Sequence, residues 1–304
     1  MPLITVFTPA YNRGYIIGKL YESLRRQSFR DFEWLVVDDG STDDTGTLLA
    51  GFIAENKIPI RYFRQENGGK HRAINRGVRE ARGELFFIVD SDDHLADDAL
   101  ERVAFHYGNV RDDATFAGVS GVRARAESGE KIGGEEAWKI LDCNCLDFRY
   151  KYGAKGDMAE VFRTSVMREF PFPEIPGEKF CSEALVWNRV AQKYKLRYFY
   201  EKIYICAYLS DGLSVSSIRL RRKSPETALI AYSELAHFPK IPFSQRIKAY
   251  VNFWRFAFCS KRGFRNKLAQ CGFFSVLGII PGFFVFLKDF SRLKRNVEFF
   301  NSQK

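Results

Sequence analysis

Hydrophobic and polar positions follow two periods along this chain, and each change of period marks an element. LITVFTPA, FEWLVVD, PIRYFRQ and ELFFIVD are compact apolar-rich runs that predict four strands. Between them the period lengthens. Tyr15 to Gln27 places Ile16, Ile17, Leu20 and Leu24 on one face of a predicted amphipathic helix. Ser41 is the expected N-cap of a second helix, with Asp43 and Asp44 in its first turn. His71 to Ala81 predicts a third helix, and Asp97 and Asp98 open a fourth that runs through His106. Strand and helix alternating at this spacing imply βαβ units and a mostly parallel α/β sheet flanked by helices.

After residue 110 the pattern weakens. Short strands are expected near Ala117–Ala126, Glu160–Thr164 and Leu196–Ala207, with a helix from Ser182 through Ala191. Beyond Ser217 the chain turns helical, basic and aromatic, so two regions are expected: 1–215, subdivided at 110 into 1–110 and 111–215, and a tail 216–304.

Charge sharpens that division. The formal net charge is +10, yet residues 216–304 hold 17 Lys plus Arg against 4 Asp plus Glu. A near-neutral region thus carries a basic tail of the kind that seeks an anionic surface. The six cysteines (Cys143, Cys145, Cys181, Cys206, Cys259, Cys271) lack paired CxxC zinc spacing. With strand-like sequence from Leu3 and no secretory signal expected, they read as reduced thiols in a cytosolic setting, Cys143 and Cys145 as structural.

The chemistry concentrates at strand ends. Asp38 and Asp39 follow one apolar run, and Asp90, Asp92 and Asp93 follow another. Ligands of open parallel sheets bind beyond the carboxyl ends of the strands. Carboxylates converging there repel one another unless a cation or a ligand's donors intervene. A divalent cation with a phosphorylated ligand meets that need. The two glycines of NGGKHRAINRG precede a predicted helix, whose free N–H groups favour anions.

Five strings in order, TPAYNRGYI, VVDDGSTDDT, ENGGKHRAINRG, VDSDD and GEKFCSEALVWNRVA, resemble inverting glycosyltransferases of family 2 over roughly residues 3–195. The resemblance implies the GT-A nucleotide-diphospho-sugar transferase fold, with 1–110 binding nucleotide, 111–215 binding acceptor, and Mn2+ or Mg2+ as cofactor. It implies that Pro9, Tyr11, Arg13 and Asp39 hold the nucleotide, the Asp39 carboxylate accepting from the uracil ring. The alternative for Asp39 is a simple turn-former. Asp90 would lie near the ribose, with Ser91 beside it, and Asp92 would be the metal ligand; Asp93 is instead a candidate helix cap and His94 a packing residue. Many members carry an arginine before the helix asparagine, but Ile74 stands before Asn75 here, so Lys70 is the expected phosphate partner with Asn75 beside it. Aligning Trp187 and Arg189 puts Glu183 on an acidic position that is usually Asp, and Ser182 before it. Glu183 is then the expected catalytic base, with Asp157 and Trp187 on the acceptor side.

Cys271 to Leu287 is an uncharged run interrupted by Gly278, Pro281 and Gly282 and flanked by Lys and Arg. A spanning helix needs about 20 apolar residues, so this reads as a bent element lying on an anionic inner leaflet, a membrane-associating extension on the cytoplasmic side. A helical hairpin packed on the protein is the alternative. Such uncharged sequence does not suit nucleic acid. Peripheral attachment suggests a saccharide or polyprenyl-linked saccharide acceptor in surface polysaccharide assembly. The rivals are a nucleotide-sugar-binding assembly module without catalysis, and a nucleotidyltransferase, whose glycine-rich signature loop is replaced here by TPAYNRG.

Overall fold

The computed structural model describes residues 1–133, 138–207, 213–239 and 241–301. The first elements are β1 (Ile4–Ala10), α1 (Ile17–Arg25), β2 (Phe32–Asp38), α2 (Thr45–Glu55), β3 (Ile60–Arg64), α3 (Lys70–Glu80) and β4 (Leu85–Ile88). β1, β2, β3 and β4 pair in parallel in the order β3-β2-β1-β4. Strands β1 and β2 are buried on both faces, as a covered parallel sheet requires, and are mainly apolar apart from Thr5, Thr8, Glu33 and Asp38. Helix α3 approaches β1 closely at Gly77, where an added Cβ would lie 2.2 Å from the Phe7 ring.

β5 (His94–Leu95), α4 (Ala99–Gly108), β6 (Phe116–Arg125), β7 (Ile140–Cys143), α5 (Cys145–Tyr150), β8 (Met158–Arg163), α6 (Thr164–Glu169), α7 (Glu183–Val190) and β9 (Lys195–Cys206) follow. β8 inserts antiparallel between β4 and β6, and β9 runs parallel to β6 with β5 and β7 antiparallel on it. The sheet is therefore mixed in this half. The short β5 and β7 were not anticipated, being too brief for a period of two to show.

Two expected caps are corrected. Helix α2 begins at Thr45 after Asp44, not at Ser41. Ser41 is instead drawn into the loops, its N–H donating to Asp38 Oδ1 at 2.7 Å and its hydroxyl accepting from Asn12 N. Asp93 caps no helix: Asp98 precedes α4, and the buried Asp93 carboxylate accepts from Tyr204 and Ala207.

The chain divides into two compact units, one of 1–172 with 186–209 and the other of 173–185 with 210–304. The segment 173–185, expected with the catalytic region, groups with the tail. The second unit holds α8 (Leu213–Lys223), α9 (Pro225–His237), α10 (Phe243–Ala257), α11 (Phe264–Cys271) and α12 (Ile279–Asn301). Its core contains Leu229, Ala236, Tyr250, Phe253, Trp254 and Cys271. Phe253, Trp254 and Phe256 are buried, while Phe258 is exposed. The uncharged run bends at its start: Phe273–Gly278 is 3-10 helix, and Pro281 falls in the first turn of α12, where no N–H is required of it. Arg255 of α10 grips Asp289 of α12 with two hydrogen bonds of 2.6 and 2.8 Å.

Candidate active site

Four loops leave the carboxyl-terminal edge of the parallel strands, and the backbone ladder marks their departure. Asp39 N donates to Ala10 O at 2.8 Å, Gln65 N to Asp38 O at 2.9 Å, and Val89 N to Phe7 O at 2.8 Å. Pro9, Tyr11, Arg13, Asp39, Lys70, Asp90, Ser91 and Asp92 all belong to these loops or the strand ends behind them, so the expected nucleotide-side residues share one edge of the sheet.

The first loop is fixed by side chains rather than by secondary structure. Pro9 is the last but one residue of β1, in register with Val37. Asn12 takes a left-handed φ of 52° and accepts from Thr42 N through Oδ1. Arg13 N donates to Thr45 Oγ1, and the Arg13 guanidinium donates to Tyr15 Oη at 2.9 Å. Tyr11 stands exposed beside them.

Asp39 is 4% exposed and accepts three hydrogen bonds: from Gln65 Nε2 at 2.8 Å, Gly68 N at 3.0 Å and Gly69 N at 2.7 Å. Gly69 has φ 98°, a conformation open to glycine, and directly precedes α3. The carboxylate thus shapes the anion-favouring turn that opens α3. A carboxylate has about four acceptor positions, so one remains for a further donor. An open cleft of about 490 Å3 lies alongside, lined by Gly40, Arg64, Gln65, Glu66 and Asn67.

Lys70, the first residue of α3, reaches Asp90 Oδ1 with its ammonium at 2.6 Å. Arg76, on the same helix, is committed elsewhere, donating to Arg64 O. Asn75 is buried with its amide clasping the backbone of Phe172: Nδ2 donates to Phe172 O and Oδ1 accepts from Phe172 N, both at 2.9 Å. That is a fold-holding role rather than the ligand contact expected.

The turn after β4 carries the acids. Burial pushes the Asp90 carboxyl up, but Lys70, Arg123 and Arg13 together hold it below the usual carboxylate range. Burial and the neighbouring Asp90 charge push Asp92 up, and the same two causes, burial first, raise Asp93 to about 7. Crowded carboxylates with shifts in opposite directions mark a site short of positive charge. Hard carboxylate oxygens at Asp90 and Asp92 suit a divalent cation that takes its other ligands from phosphates and water; among the described residues no group of three or more His, Cys, Asp or Glu could hold an ion by itself.

Beneath this turn lie residues that pattern reading did not single out. Asp90 N donates to Tyr204 Oη at 3.0 Å, and Tyr204 Oη donates to Asp93 Oδ2 at 2.8 Å. Arg123 covers the Tyr204 ring at 4.4 Å and donates to Met158 O. An arginine inside the apolar strand GVSGVRAR was the one available signal, since a buried cation needs partners.

The expected acceptor-side residues lie on later elements. Asp157 is exposed, just before β8. Trp187 packs against Phe162 and Phe172 at ring distances of 4.6 and 6.1 Å, and its carbonyl accepts from the Cys145 thiol. It is a packing residue. Glu183 is the first residue of α7 and belongs to the second compact unit. The six cysteines are all free thiols.

A four-stranded parallel half-sheet with acids and a glycine turn beyond its carboxyl edge is the architecture of the GT-A class, and solved structures share it. The chain is similar to S. aureus TarS 1-349 in complex with UDP-GlcNAc, at TM-score 0.62 and 20% identity over 89% of this chain and 78% of that one. It is also similar to the mannosyltransferase PcManGT from Pyrobaculum calidifontis in complex with GDP-Man and Mn2+, at TM-score 0.56 and 18% identity over 95% and 88%. Residues 5–155 match the family model of Glycosyl transferase family 2, and this part of the chain is a domain of that family. Among named relatives, a GalNAc(5)-diNAcBac-PP-undecaprenol beta-1,3-glucosyltransferase from Campylobacter jejuni is 27% identical over 66% of this chain and 62% of its own length. The chain spans less than two thirds of the length of the curated relatives it matches first.

Proposed function

We propose that this protein transfers a sugar, with inversion, from a nucleotide-sugar donor (a UDP-sugar) to a hydroxyl of a saccharide acceptor carried on a membrane lipid. The observation that carries the reading is the Asp90–Asp92 turn at the carboxyl end of β4, with Lys70 of the glycine turn on Asp90 at 2.6 Å. Family membership of residues 5–155 and the UDP-GlcNAc complex of a structural neighbour support a nucleotide-sugar donor. The Campylobacter relative, named for transfer to a PP-undecaprenol-linked glycan, supports the lipid-linked acceptor.

In this reading the base lies in the cleft beside Asp39, whose free acceptor position takes the ring N–H. Lys70 exchanges its partner from Asp90 to a donor phosphate. Asp92, with Asp90 beside it, would hold Mn2+ or Mg2+, and a neighbour's Mn2+ complex supports that choice. The ion, when bound, offsets negative charge on the departing diphosphate. Glu183 accepts the proton of the acceptor hydroxyl. That oxygen bonds to the anomeric carbon as the bond to the diphosphate oxygen breaks and the nucleotide leaves with the electron pair. One displacement inverts the centre, so no protein nucleophile is needed.

The uncharged run gives the membrane reading its surface. Phe273, Phe274, Leu277, Ile280 and Phe284 are exposed at helical spacing, with Lys248, Arg265 and Lys288 exposed on the same group of helices and Lys261 on the connection between α10 and α11. Phe273–Ser291 is long and apolar enough to cross a bilayer by length and composition, at mean hydropathy 1.7. The Asp289–Arg255 pair ties its far end to α10, which favours an element lying in the interface.

The test is a panel of nucleotide sugars assayed with Mn2+, with Mg2+ and with chelator, on the wild type and on Glu183→Gln. A general base contributes roughly 10²–10⁴-fold, so Glu183→Gln should lose that much turnover while binding donor as before. Undiminished turnover in the variant removes Glu183 from the mechanism. Donor binding without turnover in the wild type, across the panel and with lipid-linked acceptors, would instead establish a binding module.

A further inference from the structure

The segment leading into Glu183 is fastened to the helices of the tail, and one buried carboxylate makes the strongest attachment. Glu178 is 6% exposed and accepts from Glu226 N at 2.6 Å and Thr227 N at 2.9 Å, two of the free N–H groups at the start of α9. Pro225, at the first position of that helix, has no N–H to offer, so these are the next donors in line. Two further bonds run beside it. Phe180 N donates to Ser224 Oγ at 3.2 Å, and Thr227 Oγ1 donates to Phe180 O at 2.8 Å. Arg221 of α8 lies over the Phe180 ring and donates to Ser182 Oγ. Every residue from Glu178 to Ser182 named here is thus tied to the α8–α9 junction, and 173–185 clusters with the tail, not with the sheet. Helix α9 in turn packs on α10, which carries the 3-10 turn and α12.

We propose that Glu178 is a positioning residue: by capping α9 it makes the helical tail the mount for the segment that presents Glu183. The tail then has a role in turnover apart from any attachment to membranes. A carboxylate aimed at a backbone N–H pair suits this use, because a charge-assisted bond to fixed donors holds direction as well as distance. The inference rests on the reading of Glu183 as the base, and the experiment separates the two.

Full-length Glu178→Gln keeps one acceptor oxygen and turns an amide N–H2 toward a backbone donor. It is expected to lower kcat about tenfold, the scale on which small misplacement of a reacting group tells, with donor affinity by calorimetry unchanged. Hydrogen exchange is expected to rise at Phe180 and Leu185 while α10 keeps its protection. Thr227→Val, which removes the hydroxyl's bonds to Phe180 O and Ser224 O but leaves Thr227 N on Glu178, should show a smaller loss of the same kind, and serves if Glu178→Gln does not fold. A folded Glu178→Gln, or a folded Thr227→Val in its place, with wild-type exchange at Phe180 and Leu185 overturns the proposal. So does raised exchange there with undiminished kcat, provided Glu183→Gln has lost turnover. If Glu183→Gln keeps turnover, the base assignment fails alone, and the exchange measurement still decides whether Glu178 mounts the segment.

Discussion

Tyr204 joins two parts of one turn through a single hydroxyl. It accepts from Asp90 N and donates to Asp93, and its side chain is fully buried. Removing the oxygen leaves a part-buried N–H and a buried carboxylate oxygen each short of one partner, a cost of about 1–3 kcal/mol. Tyr204→Phe should therefore lose stability on that scale and bind UDP with Mn2+ more weakly, because Asp90 and Asp92 ride on the loosened turn. Calorimetry and denaturant unfolding on the same preparation decide it. Unchanged nucleotide affinity alongside reduced stability would mean that the turn holds its shape without the hydroxyl. At this scale sequence was a partial guide. The place of Asp90 and Asp92 was legible because they directly follow an apolar strand, where chain direction alone sends them to the carboxyl-terminal edge of the sheet. Ser41 and Asp93 misled: short polar residues before a helix favour capping, but loops distant in sequence offered partners with better geometry. Asn75 misled for the same reason, since nothing local announces a clasp on Phe172, 97 residues away. Tyr204 was invisible, because a tyrosine in the run KLRYFYEKIYIC has no local sign of where its hydroxyl points.

At the scale of elements, α3 carries Lys70 and rests on β1 through Gly77. An alanine there would bring its Cβ to 2.2–2.8 Å from three atoms of the Phe7 ring, and Phe7 is itself stacked on Phe86 at 4.9 Å. Overpacking of this sort costs about 1–3 kcal/mol. Gly77→Ala should accordingly lower the unfolding midpoint and, by lifting α3, weaken donor binding more than Arg79→Ala on an exposed part of the same helix. Thermal melts with and without UDP measure both; a variant as stable as the wild type would show that the ring can turn aside. The alternation that predicted α3 and the parallel strands is strong because each element is long enough to repeat its period. The strands β5 and β7 and helices α5 and α6 are short, and their existence depends on partners in the sheet. The period therefore fades after residue 110 even though the sheet continues through β6, β8 and β9.

For the whole molecule, charge and apolar surface point the same way on the tail. The 216–304 region holds 17 basic and 4 acidic residues. Its exposed ridge includes Phe273 at 74%, Phe274 at 71% and Phe284 at 66% exposure. Sequence made the basic and apolar character legible, but composition cannot say that Phe253, Trp254 and Phe256 turn inward to be buried among the helices. Attachment should need both remaining components. Basic residues near an anionic leaflet contribute about 1 kcal/mol each, so Lys248→Ser, Lys261→Ser and Arg265→Ser together should weaken binding to phosphatidylserine vesicles by about 3 kcal/mol, or roughly a hundredfold. The same triple change should lower the sensitivity to salt in proportion to the charge removed, the remainder being carried by the other basic residues such as Lys288. Phe273→Ser with Phe284→Ser should weaken binding on neutral and anionic vesicles alike, since burial of apolar surface does not depend on lipid charge. Cosedimentation of the full chain across a series of salt concentrations separates the two terms. If the wild type stays in the supernatant at low salt with anionic vesicles in excess, the ridge has another partner and the lipid-linked acceptor loses its structural support.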